Sequence, residues 1–455
     1  MEQYLDFCII IMEEFFYINK IIIMENINFE EECNKIIDSV VEKYKYSEDL
    51  TNVLRKIVPT MISDATKEEK KLFYNMLMKT PIVVIPKGKG ITNKQLQDKY
   101  IGNINPHIED IEVDLGEYGK GEASGGFVLE PIIDENLKLV GKKQFIHVME
   151  DDISKINTPV KQKMYETFGT GIEVSHLIHE LGHAWAAEKN TYSIDGNVLT
   201  ERIGTCKIEY EIKDLGDGKY SKKEISREGL MIEESLNTNL QEKTIAKSLG
   251  ISLEEAKGLY KANGIFIPSI YQGVMSDMTE YMMEKIFTDE IKSWRLTGDS
   301  QKLNEINNQM SQTKEFEYRS VENEDIINKK QIIKNIPKEN VREFFEKYEK
   351  DFLPDKTNMT PIQMIENCLL QCYTIKSVQY QLDINTYSSL MSLIVKDGYI
   401  LINQTSDILS QRQSEITMKD LVDAAIKENP SNSEISNVDS VQIGKTHKKE
   451  DKIVE

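Results

Sequence analysis

Three of the chain's six histidines, His176, His179 and His183, fall within one eight-residue stretch, and Glu180 stands among them. Residues three and four apart share one face of a helix. At roughly 100° per residue, Val174, Leu177, Ile178, Leu181 and Trp185 form one apolar sector, and the histidines gather with Glu180 opposite it. A segment patterned this way is a helix buried on one side, with imidazoles on the other. With 40% hydrophobic and 29% charged residues, the chain can bury a core to receive it and is not disordered as a whole.

The order His179-Glu180-Leu181-Gly182-His183 carries the chemistry. Two imidazoles four apart can hold one metal ion, and the intervening Glu180 can reach a water beside it. Neutral imidazole suits Zn²⁺, and no nearby thiolates compete for the ion. By chance alone, such a five-residue pattern arises about once per hundred chains of this composition. The plain alternative is a solvated polar face on an amphipathic helix, but the apolar sector and the third histidine favour a metal helix. Zinc needs another protein ligand. A third histidine six residues on is excluded, because Lys189 stands there and Ala186 fills the required glycine position. His176 fits a cleft-lining or supporting role better than a ligand's. Asp195 follows in a turn-like stretch with nothing to support it. The better candidates, Glu233 and Glu234, sit among apolar residues in Gly229-Leu-Met-Ile-Glu-Glu-Ser-Leu-Asn-Thr238. An unpaired buried carboxylate is expensive, and coordination is one way to offset that cost. A helical wheel sets Glu234 between Leu230, Met231 and Ile245 and Glu233 near Leu240, and does not choose between them. An ordinary, partly exposed acid pair is their plain alternative.

The H-E-L-G-H helix followed by a glutamate helix resembles the gluzincin clan of zinc metallopeptidases, the thermolysin-like group that includes lethal-factor-type enzymes. The resemblance covers about Phe145 to Leu249 and is specific at the two helices. It implies that a downstream glutamate completes the metal site, and the residues Glu233-Glu-Ser-Leu-Asn-Thr238 make that ligand Glu234 beside His179 and His183. Two departures stand out. Thr238 occupies the place of the acid expected four residues after the ligand, leaving the group that orients a ligating histidine unassigned. The gap from His183 to Glu234 is also long, filled by an expected hairpin. The implied fold is α+β, with a zincin-like core of a small twisted sheet, the H-E-x-x-H helix and the glutamate helix. The implied activity is zinc-dependent hydrolysis of peptide bonds, with one Zn²⁺ as cofactor, Glu180 as general base and a peptide or protein as substrate. Tyr210, Arg227, Tyr271 and Tyr281 are candidate oxyanion donors, and Phe127–Leu129 or Phe145–Met149 a candidate cleft edge. The rival readings are a non-catalytic zincin-fold scaffold for a partner, a zinc hydrolase of a non-peptide amide, and a toxin cleaving one host protein.

The rest of the chain frames this core. Residues 1–79 read as a helical segment, 80–250 as the core, 251–428 as a helical region and 429–455 as a disordered tail. The elements expected are a strand at Pro81–Pro86, others at Ile111–Leu115, Phe127–Leu129 and Phe145–Met149, and a helix opened by a Thr170/Glu173 capping box. Val198–Ile212 reads as one strand, Asp214–Gly218 as a turn, and Ser226–Leu249 as a helix. Ser252 and Glu255 form another capping box, followed by helical spacing near Ile270–Phe287, Val341–Phe352, Ile362–Tyr380 and Ile416–Ile426. With 56 basic against 76 acidic residues the net charge is −20, which argues against nucleic acid and anionic membrane as partners. Five scattered cysteines make no disulfide framework. Glu2, Asp6, Glu13 and Glu14 break every apolar run before Met24, an alternative start, so no secretory signal or membrane span is expected and the expected compartment is the cytoplasm.

Overall fold

The computed structural model describes residues 29–86, 90–110, 125–150, 159–189, 191–257, 261–262, 265–266, 285–311, 360, 362–363 and 366. Three helices come first: α1 (29–44), α2 (Glu48–Met61) and α3 (Lys67–Lys79). Their starts follow local chemistry. Ser47 Oγ accepts from the Leu50 N–H, while Thr66 and Glu69 satisfy each other's backbone donors as a capping box. Apolar residues at helical spacing, Val53, Leu54, Ile57, Val58 and Met61 on α2 with Phe73, Met76 and Leu77 on α3, are all buried.

The chain then turns to strands. β1 (Ile82–Ile85), β3 (Gly125–Ile133) and β4 (Leu139–Met149) form a sheet in the order β1-β4-β3, with β1 parallel and β3 antiparallel to β4. β4 lies in the centre, and Gln144 to Val148 are buried without interruption, as for a strand covered on both faces. A short α4 (Asn93–Tyr100) and strand β2 (Ile108–Asp110) lie between β1 and β3. Ile111–Leu115 falls outside the described residues.

After α5 (Pro159–Phe168) comes α6 (Val174–Ala186), the histidine helix. It starts later than the capping-box spacing suggests. Glu173 is the N-cap residue and makes no capping bond, while Thr170 Oγ1 accepts from the Ile172 N–H. The sector Val174, Leu177, Ile178, Leu181 and Trp185 is buried as its spacing requires. Trp185 meets Phe73 edge to face at 5.2 Å and donates its indole N–H to Glu69 O at 3.1 Å. One continuous core thus joins α1–α3, β1, β4–α6 and the later helix α7.

The span between the two key helices is a sheet, not a loose connection. β5 (Tyr192–Asp195), β6 (Val198–Ile203), β7 (Cys206–Gly216) and β8 (Lys219–Glu228) join β2 in the order β2-β8-β7-β6-β5. The expected single strand Val198–Ile212 is in fact two, β6 and β7, because Gly204 adopts a left-handed φ of 62° and reverses the chain. The expected helix start at Ser226 is also displaced. Glu228 still pairs with Lys207, and the break falls at Gly229, where φ is 72° and a Cβ would lie 2.2 Å from Thr205 O.

Helix α7 (Leu230–Leu249) therefore begins without a side-chain cap of its own. Glu366 supplies one from far along the chain, its two carboxylate oxygens accepting the Met231 and Ile232 N–H groups at 2.9 Å each. Burial pushes the Glu366 carboxyl up to about 7 against those hydrogen bonds. The Ser252–Glu255 capping box opens α8 (Leu253–Lys257). Two short antiparallel strands follow, β9 (Lys261–Ala262) and β10 (Ile265–Phe266), then α9 (Lys285–Thr297) and α10 (Ser300–Ser311). The helical segments expected around Val341–Phe352 and Ile416–Ile426, most of Ile270–Phe287 and of Ile362–Tyr380, and the tail from Asn429 lie outside the described residues. The chain is α+β, and among the described residues no helix is long and apolar enough to cross a membrane.

Because Phe73 is fully buried against Trp185, Phe73→Ala should lower unfolding free energy by about 3–5 kcal/mol. A denaturant midpoint shifted by less than about 1 kcal/mol equivalent would rule out this contact as the anchor of the histidine helix.

Candidate metal centre

Helices α6 and α7 approach closely, and Gly182 is what permits it. A Cβ at that position would fall 2.0 Å from Asn237 Oδ1. Across the contact, Asn237 Nδ2 donates to His179 O at 2.7 Å and Gln241 Nε2 donates to Ser175 O at 3.0 Å. These bonds tie α7 to the backbone of α6 at two successive turns. They set its rotation so that Glu234 faces the histidines.

Three donor atoms converge there. His183 Nε2 lies 3.1 Å from His179 Nε2 and 3.5 Å from Glu234 Oε2, and His179 Nε2 lies 3.3 Å from the same oxygen. Tetrahedral coordination with bonds of 2.0–2.1 Å separates ligand atoms by about 3.3–3.4 Å. The three edges lie within about 0.2 Å of that spacing.

The other imidazole nitrogens decide which form the rings take. His183 Nδ1 faces Glu233 Oε1 at 3.3 Å, and His179 Nδ1 faces Gln241 Oε1 at 3.3 Å. Gln241's amide orientation is fixed by the bond from its Nε2 to Ser175, so both Nδ1 atoms face acceptors and carry the proton. Both Nε2 lone pairs then point at each other and at a carboxylate. Three acceptors crowded together repel one another unless a cation lies between them. The Glu234 and Glu233 carboxylates favour such a cation beside His183, whether a proton or a metal ion. Burial opposes a charged His183, but the Glu234 and Glu233 carboxylates outweigh it and raise its pKa to about 10. Glu234 is held well below the usual carboxylate range, since His183 and His179 overcome the effect of its burial.

Glu233, the alternative ligand, has another place. Its side chain is 1 % exposed, and burial alone would neutralise it. Arg295, on α9, binds it through Nη2 to Oε1 at 2.7 Å and Nε to Oε2 at 3.0 Å. The Thr205 N–H adds a bond to Oε2 at 3.0 Å. Against its burial, Arg295 and His183 hold the Glu233 carboxyl down at about 2. The hairpin turn leaves room for it, since a Cβ at Gly204 would lie 1.8 Å from Glu233 Oε2.

Among the described residues His179, His183 and Glu234 form the group able to hold a metal ion. Asp195 is an exposed residue at the end of β5, outside that group. His176 also lies outside it, with Nδ1 3.1 Å from Glu173 Oε2. Burial works against its charged form, yet Glu173 raises its pKa. A Cβ at Gly125 on β3 would meet His176 Nδ1 at 3.4 Å, so this histidine stands where the helix borders the sheet. Glu180 is half-buried and has no hydrogen-bond partner among the described residues. Of the expected cleft edges, Phe145–Met149 is ruled out because β4 is paired on both sides, whereas Phe127–Leu129 lies on β3, the outer strand of this sheet among the described residues. Tyr210 sits under Lys222 on the five-stranded sheet, and Arg227 is bidentate with Glu224; neither joins the histidines. Tyr271 and Tyr281 fall outside the described residues.

Sequence reasoning missed Asn237, Gln241 and Arg295. Asn237 and Gln241 lie three and seven positions beyond Glu234, on its helix face, so their spacing was an available signal. Arg295 left none. No family model, no curated protein and no solved structure matches this chain.

Two outcomes follow. Glu234→Ala should weaken zinc binding by more than about 100-fold, whereas Glu233→Ala should chiefly unfold the protein, costing about 3–5 kcal/mol by stranding Arg295. Calorimetric metal titration and thermal melts of both variants check this, and the reverse ranking moves the ligand role to Glu233. Since, against its burial, the Glu234 and Glu233 carboxylates favour a proton on His183, zinc uptake at pH 7 should release a proton, and affinity should rise with pH. An indicator dye in weak buffer reads the release directly; none at pH 7 would refute the protonated triangle.

Proposed function

We propose that this protein is a zinc-dependent peptidase on a zincin-like core, with His179, His183 and Glu234 as metal ligands and Glu180 as general base. The observation that carries the proposal is the triangle of 3.1, 3.3 and 3.5 Å made by two imidazole nitrogens and one carboxylate oxygen. The donor set, two neutral imidazoles and one carboxylate, is that of hydrolytic zinc sites, and three protein ligands characterise catalytic rather than structural ones. A bound zinc ion supplies a Lewis acid that acidifies water and polarises a carbonyl oxygen.

The chain's own groups do the rest. His179 and His183 present Nε2 because Gln241 and Glu233 engage Nδ1, so the rings need no reorientation. Glu180 lies between the two histidines on α6, and its carboxylate is free among the described residues to take a proton from the attacking water. It then delivers that proton to the leaving amine. Among the described residues β3 is the outer strand of its sheet and packs next to α6, and its Phe127–Leu129 stretch is suited to pairing with an extended peptide.

Purified protein should contain about one equivalent of zinc. His179→Ala should lose it, while Glu180→Gln should keep it and lose cleavage of a peptide library by about 10²–10⁴-fold. Zinc retained in His179→Ala would overturn the ligand assignment. Undiminished cleavage by Glu180→Gln would overturn the general base, and a zinc-loaded wild type that cleaves nothing would favour a partner-binding scaffold.

A further inference from the structure

Helix α9 begins more than a hundred residues after the H-E-x-x-H motif, yet it sends one side chain into the frame of the metal centre. Arg295 is 8 % exposed and has two arms of contact. One reaches Glu233, whose Oε1 faces His183 Nδ1 at 3.3 Å. The other runs from Nη2 to Asn237 Oδ1 at 2.9 Å, and Asn237 holds His179 through its backbone carbonyl at 2.7 Å. A single guanidinium is therefore joined to both ligating histidines, each time through one intermediate side chain.

Arg295 is itself held in place. Its backbone carbonyl accepts from Arg202 Nη1 at 3.0 Å, and Arg202 also donates to Ala186 O at the end of α6 and to Gly204 O at the hairpin turn. The neighbours Ile291, Trp294 and Leu296 are buried, so α9 is packed down on both sides of the arginine. The planar fork matters here. It meets both oxygens of Glu233 and still has an N–H for Asn237, which a single ammonium cannot do.

The geometry points to Arg295 as a positioning residue that sets the metal affinity of the site through Glu233 and Asn237. The inference rests on the metal-site reading above. Without the guanidinium, the buried Glu233 carboxylate loses its countercharge and its fixed place, and His183 loses the acceptor that turns Nε2 inward. The region following the core is then part of the metal centre and not an appendage to it.

Full-length Arg295→Met, Arg295→Lys, Glu233→Gln and the double Arg295→Met/Glu233→Gln variant test this. Zinc affinity is read by competition with a chromophoric chelator, ligand geometry by the visible absorption of the cobalt(II) form, and folding by melting in excess chelator. Arg295→Met and Glu233→Gln should each weaken zinc binding by about 10–100-fold and alter the cobalt spectrum. The double variant should bind no more weakly than the worse single, because the arginine acts through the glutamate. Arg295→Lys should fall between wild type and Arg295→Met. A folded Arg295→Met with wild-type affinity and spectrum overturns the inference, as do losses that multiply in the double variant. If Arg295→Met does not fold, Arg295→Lys decides: a loss of at least about threefold supports the role, and wild-type affinity overturns it. A wild type that binds no zinc removes the metal reading itself, whereas zinc-binding wild type with an indifferent Arg295 removes this inference alone.

Discussion

Everything at the centre of this molecule depends on two helices touching at Gly182. A hydrogen atom in place of a methyl group lets Asn237 bind the backbone of α6, and that bond with its counterpart at Gln241 fixes how α7 is turned. A rotation of one residue, roughly 100°, would exchange Glu234 for its neighbour. The close approach is thus what converts a pair of adjacent acids into one group facing the histidines and one facing an arginine.

The electrostatic arrangement follows from that division. Glu234 shares charge with the imidazoles at the mouth of the site, where its side chain keeps 15 % exposure. Glu233 lies deeper and is compensated by Arg295. Two carboxylates at consecutive positions would repel each other if both faced one way; here they lie on opposite edges of the His183 ring, and Glu233 has Arg295 as a further cation, which eases the conflict. The same division sets Glu233 as the acceptor beside His183 Nδ1, while Gln241 stands beside His179 Nδ1. Thr238 stands four residues past Glu234, and the carboxylate that faces a histidine Nδ1 is the preceding residue, Glu233.

The histidine helix is also stabilised at its far end. Lys142 donates to Ala187 O and Thr191 Oγ1, and Arg202 reaches Ala186 O, so two cations meet the carbonyl end of α6 where its dipole is negative. Burial pulls Lys142 down to about 8 in doing so. At the opposite end of the frame, Glu366 caps α7 from beyond α10. Long-range charged contacts thus hold the C-terminus of α6 and the N-terminus of α7, whereas Gly250, in a left-handed conformation, caps the other end of α7 locally.

What the sequence determined by itself is local. The apolar sector of α6, its histidine stripe, the strands around Phe127 and Phe145, and the Ser252 box were legible because each depends on spacing within one element. Elements whose limits depend on a neighbour were misplaced. Val198–Ile212 keeps its alternation through a turn that Gly204 makes next to Glu233, and Ser226–Glu228 could not be told from a helix start until β8 was paired with β7. The wheel gives Glu233 and Glu234 alike a partly apolar setting and the resemblance alone favours Glu234; packing, which fixes the helix's rotation, sets Glu234 beside the histidines and Glu233 beside Arg295. Only the tertiary structure introduced Arg295, 62 residues from the carboxylate it binds. A buried ion pair leaves no periodicity in a sequence, because neither partner's position in its own helix encodes the distance that folding closes.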